Sequence, residues 1–129
     1  MQDEKNLVVG EYAHRLAIAT YRHTESFPAS ERFGLTSQMR RAAVSVASNI
    51  AEGCGRRSNR ELLPYLYIAS GSTRELACQL RISTELGLGE TAGAERLADE
   101  VRRVLRMLNR LIVFHHRQPA SRQKDAGPR

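Results

Sequence analysis

One seam of residues constrains this chain more than any other feature. Leu62, Leu66, Ala69, Thr73, Leu76, Leu80 and Ser83 recur at alternating steps of four and three. Residues three and four apart share a face of an α-helix, whereas a strand puts every second residue on one side. The seam therefore predicts a single helix with a heptad stripe about three repeats long. Such a stripe is stable only when other helices cover it. Ser58-Asn59-Arg60-Glu61 supplies a capping box at its start, and Gly87 and Gly89 supply its end. Pro64 falls about one turn past the first helical position, so a local distortion is expected there.

Helical spacing continues on both sides of the seam. A first helix is predicted from about Lys5 to Ser26, with Val8, Tyr12, Leu16, Ala19 and His23 on its buried face. Pro28 disfavours helical geometry in the residue before it and ends this segment. A linker with one helical turn, Ala29 to Gly34, follows. The second helix is expected to start at Thr36 as N-cap, stapled by Leu35. Leu35, Met39, Ala42, Val46, Ile50 and Gly53 form its core stripe, and Gly53-Cys54-Gly55 offers a left-handed exit. The last helix is expected to start at Thr91 as N-cap. Its stripe is Leu97, Val101, Val104, Leu108, Leu111 or Ile112, and His115. Glu95, Asp99 and Glu100 suit the positive end of its dipole, and Arg106 and Arg110 the negative end. Four helices with short links imply an all-α fold, an antiparallel up-down-up-down four-helix bundle over residues 1–117. Residues 118–129 mix Pro, Gly and charge without periodicity and are expected to form a disordered basic tail.

Composition agrees. Aromatics make up 5% of the 129 residues and Trp is absent, so the core must be aliphatic. The net charge is +6, carried by 18 Arg and 2 Lys against 14 acids. Arg binds phosphate and carboxylate bidentately, which Lys does not, and a basic balance favours anionic partners. Residues 117–129 hold four bases and one acid, so half of the excess lies in Arg117 and the tail that follows it. Cys54 and Cys78 without a secretory segment suggest reduced thiols and a cytoplasmic location. No apolar run approaches the roughly 20 residues that span a bilayer.

The chain resembles the family named after proteins encoded in intervening sequences of bacterial 23S ribosomal RNA. The resemblance runs from Tyr12 to about Leu111. It is carried by Phe27-Pro28, Glu31, Gly34-Leu35-Thr36-Ser37-Gln38 and Arg40-Arg41-Ala42. It continues through Ser45, Asn49-Ile50-Ala51-Glu52-Gly53, Ser58 with Glu61, Ile68-Ala69, and Gly71-Ser72 with Glu75. Val46-Ala47 stands where the pattern usually has Ile-Pro, and Pro64 is not part of it. The resemblance implies an antiparallel four-helix bundle that assembles into a homopentamer around a central channel, with no defined biochemical role. A distantly similar bundle is an accessory subunit of diversity-generating reverse transcriptases and binds nucleic acid.

Two constellations are candidate sites. Arg40, Arg41, Ser45, Asn49, Glu52, Ser72 and Glu75 are expected to form a polar network between the second and third helices. Such a network fixes register or assembly. An active site built on Glu52 and Glu75 as paired carboxylates would need an accompanying nucleophile or metal cluster, and the sequence supplies none. Arg96, Arg103, Arg110 and Arg117 recur every seven residues with Arg106 beside them, and Arg56, Arg57 and Arg60 crowd the turn before the third helix. The bland reading of these arginines is a solvated face; the sharper one is sequence-independent phosphate binding. Adjacent His115 and His116 point about 100° apart and cannot face one metal together. No phosphate loop, dinucleotide fingerprint or hydrolase elbow is present, and no cofactor is expected. The sequence thus points to a non-enzymatic, self-assembling bundle with RNA or DNA as possible partners. The alternative is a structural or protein-interaction module with no nucleic-acid role.

Overall fold

The computed structural model describes residues 4–117; the expected tail lies outside them. Among the described residues there are four α-helices and no strand: α1 (Glu4–Thr24), α2 (Leu35–Cys54), α3 (Asn59–Glu85) and α4 (Thr91–His116). A single 3-10 turn, Ala29–Glu31, sits between α1 and α2. Contacts between neighbours run antiparallel. Thr24 late in α1 bonds Arg40 early in α2, while Gly10 early in α1 lies against Ile50 late in α2. The ends of the chain's helices meet as well: Nε2 of His115 lies 3.3 Å from Oδ1 of Asn6, both buried.

The seam of α3 is buried throughout: Leu62, Leu66, Ala69, Thr73, Leu76, Leu80 and Ser83 all face the core. The stripes of α2 and α4 hold equally well. Met39, Ala42, Val46, Ile50 and Gly53 are buried, Leu35 is half-buried, and Leu97, Val101, Val104, Leu108, Leu111 and His115 are buried. The core is aliphatic, with Phe27 the sole buried aromatic hydrophobe among the described residues.

The first helix departs from expectation. Its buried face is Asn6, Val9, Ala13, Leu16, Thr20 and Thr24, one residue round from the predicted stripe, and Val8 is exposed. Burial of the two threonines costs little because their hydroxyls bond within the helix. Thr20 Oγ1 donates to the Leu16 carbonyl at 2.8 Å, and Thr24 Oγ1 to the Thr20 carbonyl at 2.8 Å.

The helix ends also differ in detail. α2 begins at Leu35 rather than after Thr36, because Oε1 of Glu31 accepts the Leu35 N–H at 3.1 Å and does the work of a cap from the preceding turn. α4 begins at Thr91, with Glu90 as its cap residue. Ser58 caps α3 as expected, accepting the Glu61 N–H at 3.1 Å, while the Glu61 carboxylate reaches back to the Arg57 N–H at 3.2 Å. α3 runs through Pro64 unbroken, with the ring exposed. The left-handed glycines are Gly87 and Gly89, and Gly55 ends α2 in right-handed geometry. At Gly87 the α3 terminus closes with Leu88 N–H on the Ser83 carbonyl (2.9 Å) and Gly87 N–H on that of Thr84 (3.0 Å), a Schellman pattern. Gly53 has a different purpose: a Cβ there would lie 2.7 Å from Cδ1 of Leu62 and 2.8 Å from Cβ of Tyr65, so its hydrogen lets α2 and α3 approach.

Candidate nucleic-acid interface

The arginine row of α4 follows from its heptad spacing. A residue every seven positions drifts only slightly around a helix, so Arg96, Arg103 and Arg110 stay on the side opposite the buried stripe, leaning toward α1. All are exposed, as are Arg106 and Arg117. From Arg102 to Arg117 there are five arginines and no acid. Arg102 is paired with Asp99 one turn before it. Among the described residues no carboxylate lies within ion-pair distance of Arg96, Arg103, Arg106 or Arg110.

The neighbouring helix adds to this face. Two guanidinium groups lie over the Tyr12 ring of α1, Arg15 at 5.2 Å and Arg103 at 5.5 Å from its centroid. Arg15, Arg22 and Arg96 line an open groove of about 790 Å³ between α1 and α4 together with Glu25, Glu90 and Glu100, and Arg15 also pairs with Glu11 at 3.4 Å. Glu100 is in that groove, and burial pushes its carboxyl above the ordinary range while Arg103 and Arg15 pull it down. Sequence reading missed Arg15 and Arg22. The available signal was their seven-residue spacing, which places both on the same side of α1.

The turn between α2 and α3 is less uniform. Arg56 is committed within the protein: its guanidinium bonds Oε2 of Glu52 at 3.0 Å, contacts the Tyr65 hydroxyl and stacks on the Tyr65 ring. Arg57 and Arg60 are exposed. This turn shares one end of the bundle with the acid-free end of α4, since α1 begins beside both Ile50 and His115.

The seven polar residues on α2 and α3 separate into local groups. Arg40 turns to α1, donating to Thr24 Oγ1 at 2.9 Å and to the Tyr21 carbonyl at 3.3 Å, with its guanidinium over the Tyr21 ring. Ser45 and Ser72 meet across α2 and α3, and the Asn49 amide donates to the Ser45 carbonyl at 2.8 Å. Glu52 goes to Arg56, Glu75 lies 3.5 Å from the Gln79 amide, and Arg41 is exposed. Glu52 and Glu75 are both exposed and engaged with different partners.

Other chemistry-bearing groups are scattered. His23 packs edge-on against Phe27, with its Nε2 buried and unpartnered. Burial holds its imidazole below the ordinary value, with Arg96 adding to this and Glu90 opposing it. Burial likewise pushes the Cys54 thiol up. Among the described residues, no three His, Cys, Asp or Glu side chains are grouped to hold a metal, and no helix is long and apolar enough to cross a membrane.

Comparison with known proteins matches residues 5–110 to the 23S rRNA-intervening sequence protein family. No curated protein matches the chain. Among solved structures, the chain is similar to a protein of unknown function from the S23 ribosomal protein family of Bacteroides thetaiotaomicron. The two share 18% identity at a TM-score of 0.77, over 84% of this chain and 98% of that one. At that identity the likeness establishes the fold.

Proposed function

The chain belongs to the 23S rRNA-intervening sequence protein family, and on that premise we propose a non-enzymatic, self-assembling helical bundle that binds the phosphate backbone of RNA or DNA. The observation that supports binding is the acid-free run of exposed arginines from Arg102 to Arg117. Phosphate contacts supply sequence-independent affinity and position a protein on a duplex. Base stacking needs exposed aromatic faces beside the charges. The Tyr12 ring on this face is covered by its own arginines, so a duplex suits the face better than a single strand. Arg57 and Arg60 extend it around the end of the bundle, whereas Arg56 serves Glu52 and Tyr65.

Self-assembly, with a closed pentameric ring as the expected form, repeats this face in every copy and raises avidity without new contacts. Fluorescence anisotropy with a short RNA duplex tests the binding. Association at about 50 mM salt that falls away steeply at higher salt is expected. Absence of binding at low salt would leave the structural or protein-interaction alternative.

A further inference from the structure

Phe33 is the most exposed large apolar side chain among the described residues, at 87%. It stands one residue before Gly34, the cap residue of α2. An apolar side chain at that place ordinarily packs on the fourth residue of the helix and fixes the entry of the chain. Here that residue is Gln38, itself exposed, so no such staple forms. The ring thus adds nothing to the core, and its hydration costs free energy that a partner would recover. Its neighbour is a cation: the Arg32 guanidinium lies 5.3 Å from the ring centroid.

The surroundings are basic. From Arg32 to Ala51 there are three arginines and no acid. Arg32 and Arg41 are exposed, and among the described residues no carboxylate lies within ion-pair distance of either. Of the two acids just before this run, Glu31 accepts the Leu35 N–H at 3.1 Å and Glu25 lines the α1–α4 groove. Tyr21 of α1 repeats the pairing of ring and guanidinium at the same end of the bundle. It is 43% exposed, with the Arg40 guanidinium 4.5 Å from its ring centroid.

A bare ring beside unpaired guanidinium groups matches an unpaired nucleotide, which offers a π-face for the ring and a phosphate for the cation. A purely apolar partner would desolvate the arginines without pairing them. An acidic peptide would pair the arginines and leave the ring in water. We propose that Phe33, with Arg32 and Arg41, is a stacking site for an unpaired base of a single-stranded nucleic acid. The site lies where α1 ends and α2 begins, whereas the acid-free end of α4 lies at the opposite end, beside the start of α1. It shares with the duplex-binding face only the class of partner.

The chain has no Trp, so Phe33→Trp places a lone reporter on the site and keeps a ring there. Titration with a short oligoadenylate RNA at about 50 mM salt is expected to quench its emission as bases stack on it. Phe33→Ala should weaken binding of the same RNA, read by fluorescence anisotropy, roughly tenfold or more and leave binding of an RNA duplex unchanged. Poly-glutamate, which offers charge without bases, should leave the Trp emission unchanged. Equal affinity of the unmodified chain and Phe33→Ala for the single strand overturns the site. So does single-strand binding that leaves the Trp unquenched, or no single-strand binding at low salt. Equal quenching by poly-glutamate would also overturn it and reassign the face to an acidic protein partner. A chain that holds the single strand through Phe33 but binds no duplex removes the duplex reading alone and supports this one.

Discussion

The hydroxyl oxygens of Ser45 and Ser72 lie 2.8 Å apart, joining the midpoints of α2 and α3. The Asn49 amide donates to the Ser45 hydroxyl at 3.2 Å, so Ser45 is shared between Asn49 and Ser72. Ser45 thus stands in the middle of a three-residue chain, with one partner on its own helix and one on α3. Replacing Ser72 by Ala should cost about 1 kcal/mol in urea denaturation. Ser45→Ala should cost more, because two bonds go with it, and the double variant should cost less than the sum of the two. Strict additivity would show that the hydroxyls do not interact.

The turn between α3 and α4 separates two effects of glycine. Gly87 and Gly89 have φ of 75° and 76°, yet only Gly89 is crowded, with a Cβ placed 2.8 Å from Cε1 of His23. Gly87→Ala should cost about 1 kcal/mol from backbone strain alone. Gly89→Ala should cost roughly 2 to 4 kcal/mol, strain and overpacking together. Equal losses in thermal denaturation would contradict the wedging of His23 against this turn.

His23 should make stability depend on pH. Its folded value is depressed by burial, so below the ordinary histidine value of about 6.5 the unfolded chain takes up a proton that the folded chain resists. Stability should therefore fall as pH drops from about 6.5 through the folded value. His23→Gln should flatten that part of the profile relative to the unmodified chain. Identical slopes between pH 7 and 5 would remove His23 as the cause.

Pro64 is a built-in weakness of α3. It sits inside the helix, where it cannot donate to the Arg60 carbonyl, and it contributes nothing buried. Pro64→Ala should stabilise the bundle by about 1 to 3 kcal/mol in chemical denaturation. A loss of stability would mean that the ring makes a contact worth more than the hydrogen bond.

Much of the bundle could be read from spacing, and the exceptions have physical causes. The seams of α2, α3 and α4 are apolar at nearly every step, so period and hydrophobicity agree. In α1 they disagree: Val8 and Tyr21 are exposed while Asn6, Thr20 and Thr24 are buried. Threonine hydroxyls bonding to their own helix cancel the penalty that a sequence reading assigns to them. The cap of α2 escaped for a related reason, since Glu31 acts from a separate turn across a loop. Gly53 and Gly55 read as exits, but only packing reveals that Gly53 is there for Tyr65. For the arginines, heptad spacing exposed the α4 row; the α1 contribution depends on which helices are neighbours. The split of the polar residues into separate groups depends on side-chain reach, which spacing does not encode.

The salt dependence of duplex binding tests the arginine face most directly. Affinity of the unmodified chain and of Arg103→Ala/Arg106→Ala/Arg110→Ala for a short DNA duplex should be measured across a salt series. Each phosphate contact contributes about 0.9 to the slope of log affinity against log salt, so loss of three should shallow the slope by roughly 2.7. An unchanged slope and affinity in the triple variant would contradict the account.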